Sequence, residues 1–154
     1  MSKKISLIGI FTALAFILSF LKFPSPVGSI ALDSMPGFLL SIINPLYGGI
    51  ASLLGHFFTS WNSGFYFQLY HIPLALAMFA ITYIFGKLYQ KNKIISILIG
   101  VILNGIVSPF IVVKIITFKG VLGIMPMLIV ASIVNILLAV IIYSMLKKYN
   151  IIKK

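Results

Sequence analysis

The longest uncharged stretch of the chain, between Asp33 and Lys87, is 53 residues long. As one continuous helix rising 1.5 Å per residue it would extend for about 80 Å, more than two bilayer hydrocarbon cores of about 30 Å each. The stretch must therefore fold back on itself. Two internal breaks provide the turns: residues 44–49 combine a helix-stopping proline with a glycine pair, and residues 60–64 form a polar cluster.

The composition agrees with a chain that is surrounded by lipid. Hydrophobic residues make up 61% of it and charged residues 8%, whereas a soluble domain carries about 25% charged residues. Twelve lysines and one acid give a net charge of +11. The lysines lie between apolar runs and at the chain ends, as membrane-flanking charges do, and not on the polar face that a nucleic-acid-binding domain needs. The absence of cysteine excludes disulfides, thiol chemistry and cysteine-ligated metals. The sequence therefore predicts a multi-pass protein of the cell membrane.

The first apolar run, residues 5–21, follows two lysines and is longer than the core of about 7–15 residues in a cleaved signal peptide. We therefore expect it to remain as the first membrane span. We predict an all-α membrane protein, a single integral membrane domain over residues 1–154, with six transmembrane helices at approximately 5–21, 34–44, 47–60, 69–88, 94–113 and 120–146.

The lysines indicate how this bundle is oriented. With six crossings, nine lysines fall on the face that carries both termini and three on the other, so the positive-inside rule predicts cytoplasmic N and C termini. A single kinked helix over 34–60 would give five crossings and a split of eight to four. Charge separates the two topologies only slightly, whereas Pro45 and the pair Gly48-Gly49 favour six.

Polar side chains concentrate in the predicted outer half of the bundle. Because an ionisable group in hydrocarbon costs at least about 2.5–3.5 kcal/mol, such residues are candidates for function. The candidate ligand-binding residues are Asp33, Ser34, His56, Thr59, Trp61, Phe65, Gln68, His71, Asn104 and Lys114. Structural alternatives stay open: Asp33 as the N-cap of the second helix, Trp61 as an interfacial anchor, and Asn135 as a residue that joins helices.

The motifs of common enzymes are absent from the sequence. Gly86-Lys87 does not fit a Walker A loop. His56 and His71 lie on different predicted helices, without the i, i+3 or i, i+4 spacing of paired metal ligands, and Ser63 lacks the first glycine of Gly-x-Ser-Gly. We therefore predict a protein that is not an enzyme, with no catalytic residues, no metal site and no cofactor. A pocket lined by an acid, amides, imidazoles and aromatic rings instead suits a small polar ligand with a planar part.

Four segments carry a resemblance to a known family. They are Phe23 to Ser34 with Pro36-Gly37, Gly55 to Ser60 with Gly64-Phe65 and His71, Asn104 to Pro109, and Ala131 to Asn135. Together with six short predicted spans, they resemble the substrate-binding S component of energy-coupling factor (ECF) vitamin transporters. Within that family they are most similar to the S components assigned to α-ribazole, a cobalamin precursor.

The resemblance implies a division of labour between subunits. This chain would capture its substrate at an outward-facing pocket, and a transmembrane T component with two cytoplasmic ATPases would supply the energy. For α-ribazole, the aromatic base would stack on Trp61 or Phe65. The ribose hydroxyls would pair with Asp33, Asn104 or His71, and Lys114 would attract a phosphate on α-ribazole phosphate.

The resemblance also implies a docking strip of small residues on the first helix. Gly9 and Ala13, and likewise Ala15 and Ser19, are four residues apart and so share a helix face that a partner helix can approach closely. Packing within the bundle is the alternative role of these residues.

Two alternatives to α-ribazole uptake remain open from the sequence. One is an S component for another vitamin, such as riboflavin, a pyridoxine-type compound or a thiazole or pyrimidine precursor. The other is a self-sufficient small oligomeric membrane transporter.

Overall fold

The computed structural model of the protein describes residues 2–25 and 28–152, with side chains given except for Ser2 and residues 23–31. The first segment of the family resemblance, Phe23 to Ser34, therefore lies largely outside the described side chains, and Lys153 and Lys154 lie outside the described residues. The main helices are α1 (Ser2–Leu18), α2 (Met35–Ile43), α3 (Pro45–Asn62), α4 (His71–Tyr89), α5 (Lys93–Val101) and α6 (Val113–Lys148). Two four-residue strands, β1 (Lys22–Ser25) and β2 (Gly28–Ala31), form an antiparallel hairpin between α1 and α2.

The chain reverses direction at Asn44, which ends α2 and begins α3. Asn44 has extended backbone angles, as a residue before proline prefers, and its side chain accepts a hydrogen bond from Tyr47 N at 3.1 Å. Pro45 occupies the first helical position, where no N–H is needed. On either side of this turn the two helices stay in contact, so that a Cβ on Gly48 would overlap Ser41. Residues 34–60 therefore form a tight helical hairpin and not one kinked helix.

Another reversal occurs at Thr117, inside the segment α6. Its angles, φ 64° and ψ 167°, are not helical, and they separate the short stretch after α5 from the long helix that follows. Gly105 packs against Ile129, and Gly100, further from the turn, packs against Ile136. The two arms are therefore antiparallel.

The segment expected as one helix over 94–113 is divided in the structure. The α-helix α5 gives way to a π-helical turn at Ile102–Val107 and then to a 3-10 turn at Ser108–Val112. Pro109 lies in the second turn and has no N–H to continue the α-helical pattern. Short π-helical turns are frequent at functional sites, and this one carries Asn104.

Successive helices run in alternating directions. Gly49 packs against Phe79 while Ser60 contacts His71, so α3 and α4 are antiparallel. Helix α1 runs parallel to α3 and hence antiparallel to α2. The start of α1 and the end of α6 consequently lie at the same end of the bundle.

The core is built around the short helix α2, whose residues 36–42 are all buried. Its apolar side chains form one cluster with residues of α4 and α6: Phe38, Leu39, Ile42, Met78, Ile81, Phe85, Ile136, Ala139 and Val140. On the other side of α2, Ser41 lies between Gly48 of α3 and Gly86 of α4, where a Cβ on either glycine would overlap it. Small residues at these points allow three backbones to approach closely.

The outer surface is apolar, as lipid contact requires. Large hydrophobic side chains are exposed along the bundle, including Ile94 at 70% and Ile5 at 64%. Among the described residues, two helical stretches are long and apolar enough to cross a membrane, Gln68–Tyr89 and Lys93–Lys148. Helix α2 has nine residues and a length of about 14 Å, so it is enclosed by the bundle without spanning a bilayer core alone.

Candidate functional site

A cavity of about 250 Å³ opens between the N-terminus of α2, the C-terminal half of α3, the start of α4, the broken segment after α5, and α6. Its lining combines polar and apolar side chains. The lining residues are Asp33, Ser34, His56, Thr59, Ser60, Ser63, Tyr66, Phe67, His71, Leu74, Met78, Asn104, Ser108, Pro109, Val112, Ile124, Leu128, Ala131, Ser132 and Asn135.

The only carboxylate of the sequence, Asp33, lies at this cavity directly before α2. Burial raises the pKa of the Asp33 carboxyl above its ordinary value of 3.8, and contacts with Thr59, Ser34 and Lys22 oppose the rise. Lys22 itself donates to the carbonyl of Asn62 at 3.1 Å, where it satisfies the C-terminus of α3. A ligand that offers O–H or N–H donors would stabilise the charged form of Asp33.

A hydrogen-bonded chain joins the two histidines to the loop above the cavity. The N–H of Phe67 donates to Nε2 of His71 at 3.2 Å, so that nitrogen is unprotonated and Nδ1 carries the proton of the neutral ring. Nδ1 lies 2.8 Å from Oγ of Ser60, which in turn donates to the carbonyl oxygen of His56 at 2.6 Å. Nε2 of His56 is 3.3 Å from the same Nδ1. His71 therefore links α3, α4 and the 63–70 loop.

The opposite wall is organised by hydrogen bonds between the π-helical turn and α6. Nδ2 of Asn104 donates to Oγ of Ser132 at 2.9 Å, and Ser132 donates to the carbonyl of Leu128 at 2.7 Å. Ser108 donates to the carbonyl of Asn104 at 2.7 Å. Ser108 bonds the backbone oxygen of Asn104 and Ser132 bonds its Nδ2, which leaves the side-chain Oδ1 for a donor on a ligand.

Asn135, in the middle of α6, fastens the start of α2. Its Oδ1 accepts from Met35 N at 2.8 Å, and its Nδ2 donates to the carbonyl of Ala131 at 2.8 Å. Ser34, at the N-cap of α2, makes no capping hydrogen bond with its side chain. The N-terminus of α2 is thus capped by another helix, and Asn135 does act between helices, while it also lines the cavity.

The structure brings six of the ten candidate residues to the cavity. They are Asp33, Ser34, His56, Thr59, His71 and Asn104. The other four, Trp61, Phe65, Gln68 and Lys114, do not line it. Trp61 is 70% exposed, and Lys114 is exposed on the stretch beyond the 3-10 turn.

Backbone conformation places two of these four residues away from the cavity. Phe65 and Gln68 have positive φ angles of 49° and 50°, which turn the 63–70 loop sharply. Phe65 meets His71 edge-on, at a ring distance of 5.7 Å, from outside the cavity lining. The next two residues, Tyr66 and Phe67, supply the aromatic lining instead.

Several lining residues were not among the candidates: Ser60, Ser63, Tyr66, Phe67, Ser108, Ser132 and Asn135. Helical spacing was a usable signal for some of them. Ser108 follows Asn104 by four positions and Asn135 follows Ser132 by three, so each pair shares a helix face. No comparable local signal distinguishes Tyr66 and Phe67 from Trp61 and Phe65, because the loop conformation decides which rings point inward.

The two small-residue pairs of α1 lie in different environments. Gly9 and Ala13 are exposed, with nothing within 4 Å of a Cβ placed on Gly9. Ala15 and Ser19 are buried at 4% and 0% exposure, where Ala15 contacts Gly55 and Ser19 accepts from Asn62. Ala15 and Ser19 therefore serve internal packing, and only the pair Gly9 and Ala13 is open to a partner.

The cavity has the chemistry of a binding site. Its lining offers carboxylate, hydroxyl, amide and imidazole groups together with apolar side chains, which is the usual composition of a small-molecule pocket. Among the described residues, no group of three or more His, Cys, Asp or Glu side chains is placed to hold a metal ion.

Comparison with known proteins agrees with a binding role. The family model described as ECF transporter, substrate-specific component, matches residues 3–147. A solved structure of the S component of a bacterial ECF transporter is similar in fold, with a TM-score of 0.68 and 24% identity over 96% of this chain and 97% of that chain. No curated protein matched the sequence. Substrate-specific components are integral membrane proteins that bind substrate and are not enzymes. This chain, matched over nearly its whole length, belongs to the substrate-specific components of ECF transporters.

Proposed function

We propose that this S component captures α-ribazole, an aromatic base joined to a ribose, in the cavity around Asp33. The observation that carries the proposal is a cavity lined by a single carboxylate, by hydroxyl, amide and imidazole groups, and by the two aromatic rings of Tyr66 and Phe67. Asp33 accepts hydrogen bonds from ribose hydroxyls, Asn104 contributes its free carbonyl oxygen, and Tyr66 or Phe67 stacks on the base.

The size of the cavity also favours a fragment of a vitamin. Its volume of about 250 Å³ lies just below the range of about 300–1,000 Å³ that is common for small-molecule pockets. A base with one sugar is compatible with this volume, whereas a complete cobalamin is far too large.

We further propose that the bundle crosses the membrane six times with both termini in the cytoplasm. The alternating helix directions and the seven described lysines at the end where α1 begins and α6 ends support this orientation. The cavity then opens to the outside, and a T component with two ATPases energises uptake. Co-purification with these partners is expected, and substrate flux through liposomes that contain this chain alone would contradict it.

Mass spectrometry of the molecule that co-purifies with the protein tests the ligand directly. We expect α-ribazole, and we expect titration with α-ribazole to saturate at a 1:1 ratio. Riboflavin, pyridoxine and thiamine precursors serve as competitors in the same assay. Tight binding of one of these in preference to α-ribazole would overturn the assignment while leaving the family intact.

The structure and the sequence pattern point to different aromatic residues as the one that stacks on the base, and mutation distinguishes them. Phe67→Ala should weaken α-ribazole binding about tenfold, because base–aromatic stacking contributes about 1–3 kcal/mol. Trp61→Ala should leave it nearly unchanged, since Trp61 is exposed outside the cavity. Isothermal titration of both variants provides the measurement, and a larger loss for Trp61→Ala would show that the base stacks outside this cavity.

The affinity should depend on pH through Asp33. Burial raises the pKa of this carboxyl, so at low pH it is neutral, and loss of its proton gives stronger, charge-assisted hydrogen bonds from the ligand. Affinity should therefore rise with pH through that pKa and level off above it. Titrations between about pH 4 and 8 in the wild type and in Asp33→Asn isolate this contribution from that of the histidines. Identical pH profiles for the two proteins would contradict the role of Asp33.

A further inference from the structure

The first turn of α2 begins directly after two residues that line the cavity, Asp33 and Ser34. A helix N-terminus has N–H groups without partners inside the helix, and a side chain at the N-cap usually satisfies one of them. Ser34 does not do so, because its hydroxyl lies 3.4 Å from Oδ1 of Asp33. The N–H of Met35 is instead satisfied by Asn135 of α6, 100 positions away in sequence.

Both polar atoms of the Asn135 amide have a partner within the protein. Its oxygen accepts from Met35 N and its nitrogen donates to Ala131 O, both at 2.8 Å, and the residue is 1% exposed. Although Asn135 borders the cavity, a side chain that is 1% exposed offers almost no surface to a ligand there. Its geometry suits a residue that holds α2 in place.

We propose that Asn135 is a positioning residue for the substrate site: it fixes the start of α2 to α6 and thereby sets the direction in which Asp33 and Ser34 face the cavity. Its influence on affinity passes through Asp33 and not through contact with the ligand. Only the binding part of the test rests on the proposed function, because α-ribazole is the ligand used there.

A double-mutant cycle distinguishes positioning from direct contact. Asn135→Leu should weaken α-ribazole binding about tenfold when Asp33 is present, the size expected for the loss of one buried hydrogen bond. In the Asp33→Asn background, the same substitution should have little further effect on affinity, because the carboxylate that Asn135 positions is already absent. These measurements need correspondingly higher ligand concentrations. Equal losses in both backgrounds would overturn the proposal in favour of direct contact.

Two further variants serve as controls for the double-mutant cycle. Asn135→Asp keeps an acceptor for the N–H of Met35 at a helix N-terminus, where negative charge is favourable, and should bind more tightly than Asn135→Leu. Ser132→Ala is the matched control, since Ser132 is also 1% exposed on α6 and lines the cavity but bonds to Asn104 and not to α2. Its effect should be the same with and without Asp33. Affinity in Asn135→Asp as low as in Asn135→Leu would count against the proposal.

A labelling experiment tests the same idea without any ligand. The sequence contains no cysteine, so Ser34→Cys introduces a single thiol at the cavity. Its modification rate by a small methanethiosulfonate reagent should change severalfold when Asn135→Leu is added and should not change with Ser132→Ala. Asn135→Ser replaces the leucine variant if that protein does not fold. Failure of wild-type protein to bind α-ribazole would refute only the proposed function, whereas unchanged labelling would refute the positioning role.

Discussion

Asp33→Asn should weaken binding of α-ribazole by about 10- to 100-fold. Hydrogen bonds to a charged group contribute about 1.5–3 kcal/mol, more than those to a neutral one. An asparagine amide also presents a donor where the ligand hydroxyls need an acceptor. Isothermal titration at neutral pH measures the change, and an affinity equal to that of the wild type would remove Asp33 from the site.

The stability of this variant separates loss of binding from loss of folding. Because burial raises the pKa of Asp33, the folded state favours the neutral carboxyl, and its contribution to stability falls as the pH rises above the ordinary value of 3.8. A neutral asparagine should therefore fold at least as stably at neutral pH. Lys114→Gln is the matched control, since Lys114 is exposed and outside the cavity lining, and it should change neither binding nor thermal unfolding.

Gly48→Ala should destabilise the bundle by about 1–3 kcal/mol, the usual cost of overpacking. A methyl group at this position overlaps the backbone and side chain of Ser41 in α2, and a backbone cannot give way as the end of a flexible side chain can. Ser41 is held from its other side by Gly86, so α2 has no free direction in which to move. The loss should appear despite the higher helix propensity of alanine, which is about 1 kcal/mol.

Gly9→Ala provides the control for this effect. Gly9 is also helical, but no atom lies within 4 Å of a Cβ placed there. Alanine should therefore be neutral or slightly stabilising at this position. Thermal unfolding in detergent, followed by the fluorescence of the single tryptophan, compares the two variants. Equal unfolding temperatures would show that α2 and α3 are not in close contact at Gly48 and Ser41.

Local signals predicted much of the fold. The reversal at Asn44-Pro45 follows from proline's missing N–H and from the capping preference of asparagine, and both are visible in the sequence. The expected break near residues 60–64 corresponds to the end of α3 and the loop that follows it. The division of 94–113 into α-, π- and 3-10-helical pieces was not predicted, because its apolar pattern is that of a continuous helix and only Pro109 marks the change.

The sequence indicates some of the residues that line the cavity, but not all of them. Asp33, His56 and Asn104 line the cavity, and the sequence marks them as candidates because polar groups in a membrane-embedded chain are costly without a role. Trp61 and Lys114 were included by residue type, yet both lie outside the cavity lining. Whether a side chain points inward depends on the rotation of its helix or the turn of its loop, which residue type does not reveal.

By itself the sequence determined that this chain is a helical membrane protein with few polar groups, and its segment pattern indicated the family of substrate-specific components that the family model then confirmed. Hydrophobicity, charge placement and helix-end signals act locally and are therefore readable along the chain. Only the tertiary structure decided which polar groups share one cavity. The hydrogen bonds that arrange it join positions 28 and 100 residues apart, Asn104 with Ser132 and Met35 with Asn135. Such pairings form only when helices pack, because they join side chains that are far apart along the chain.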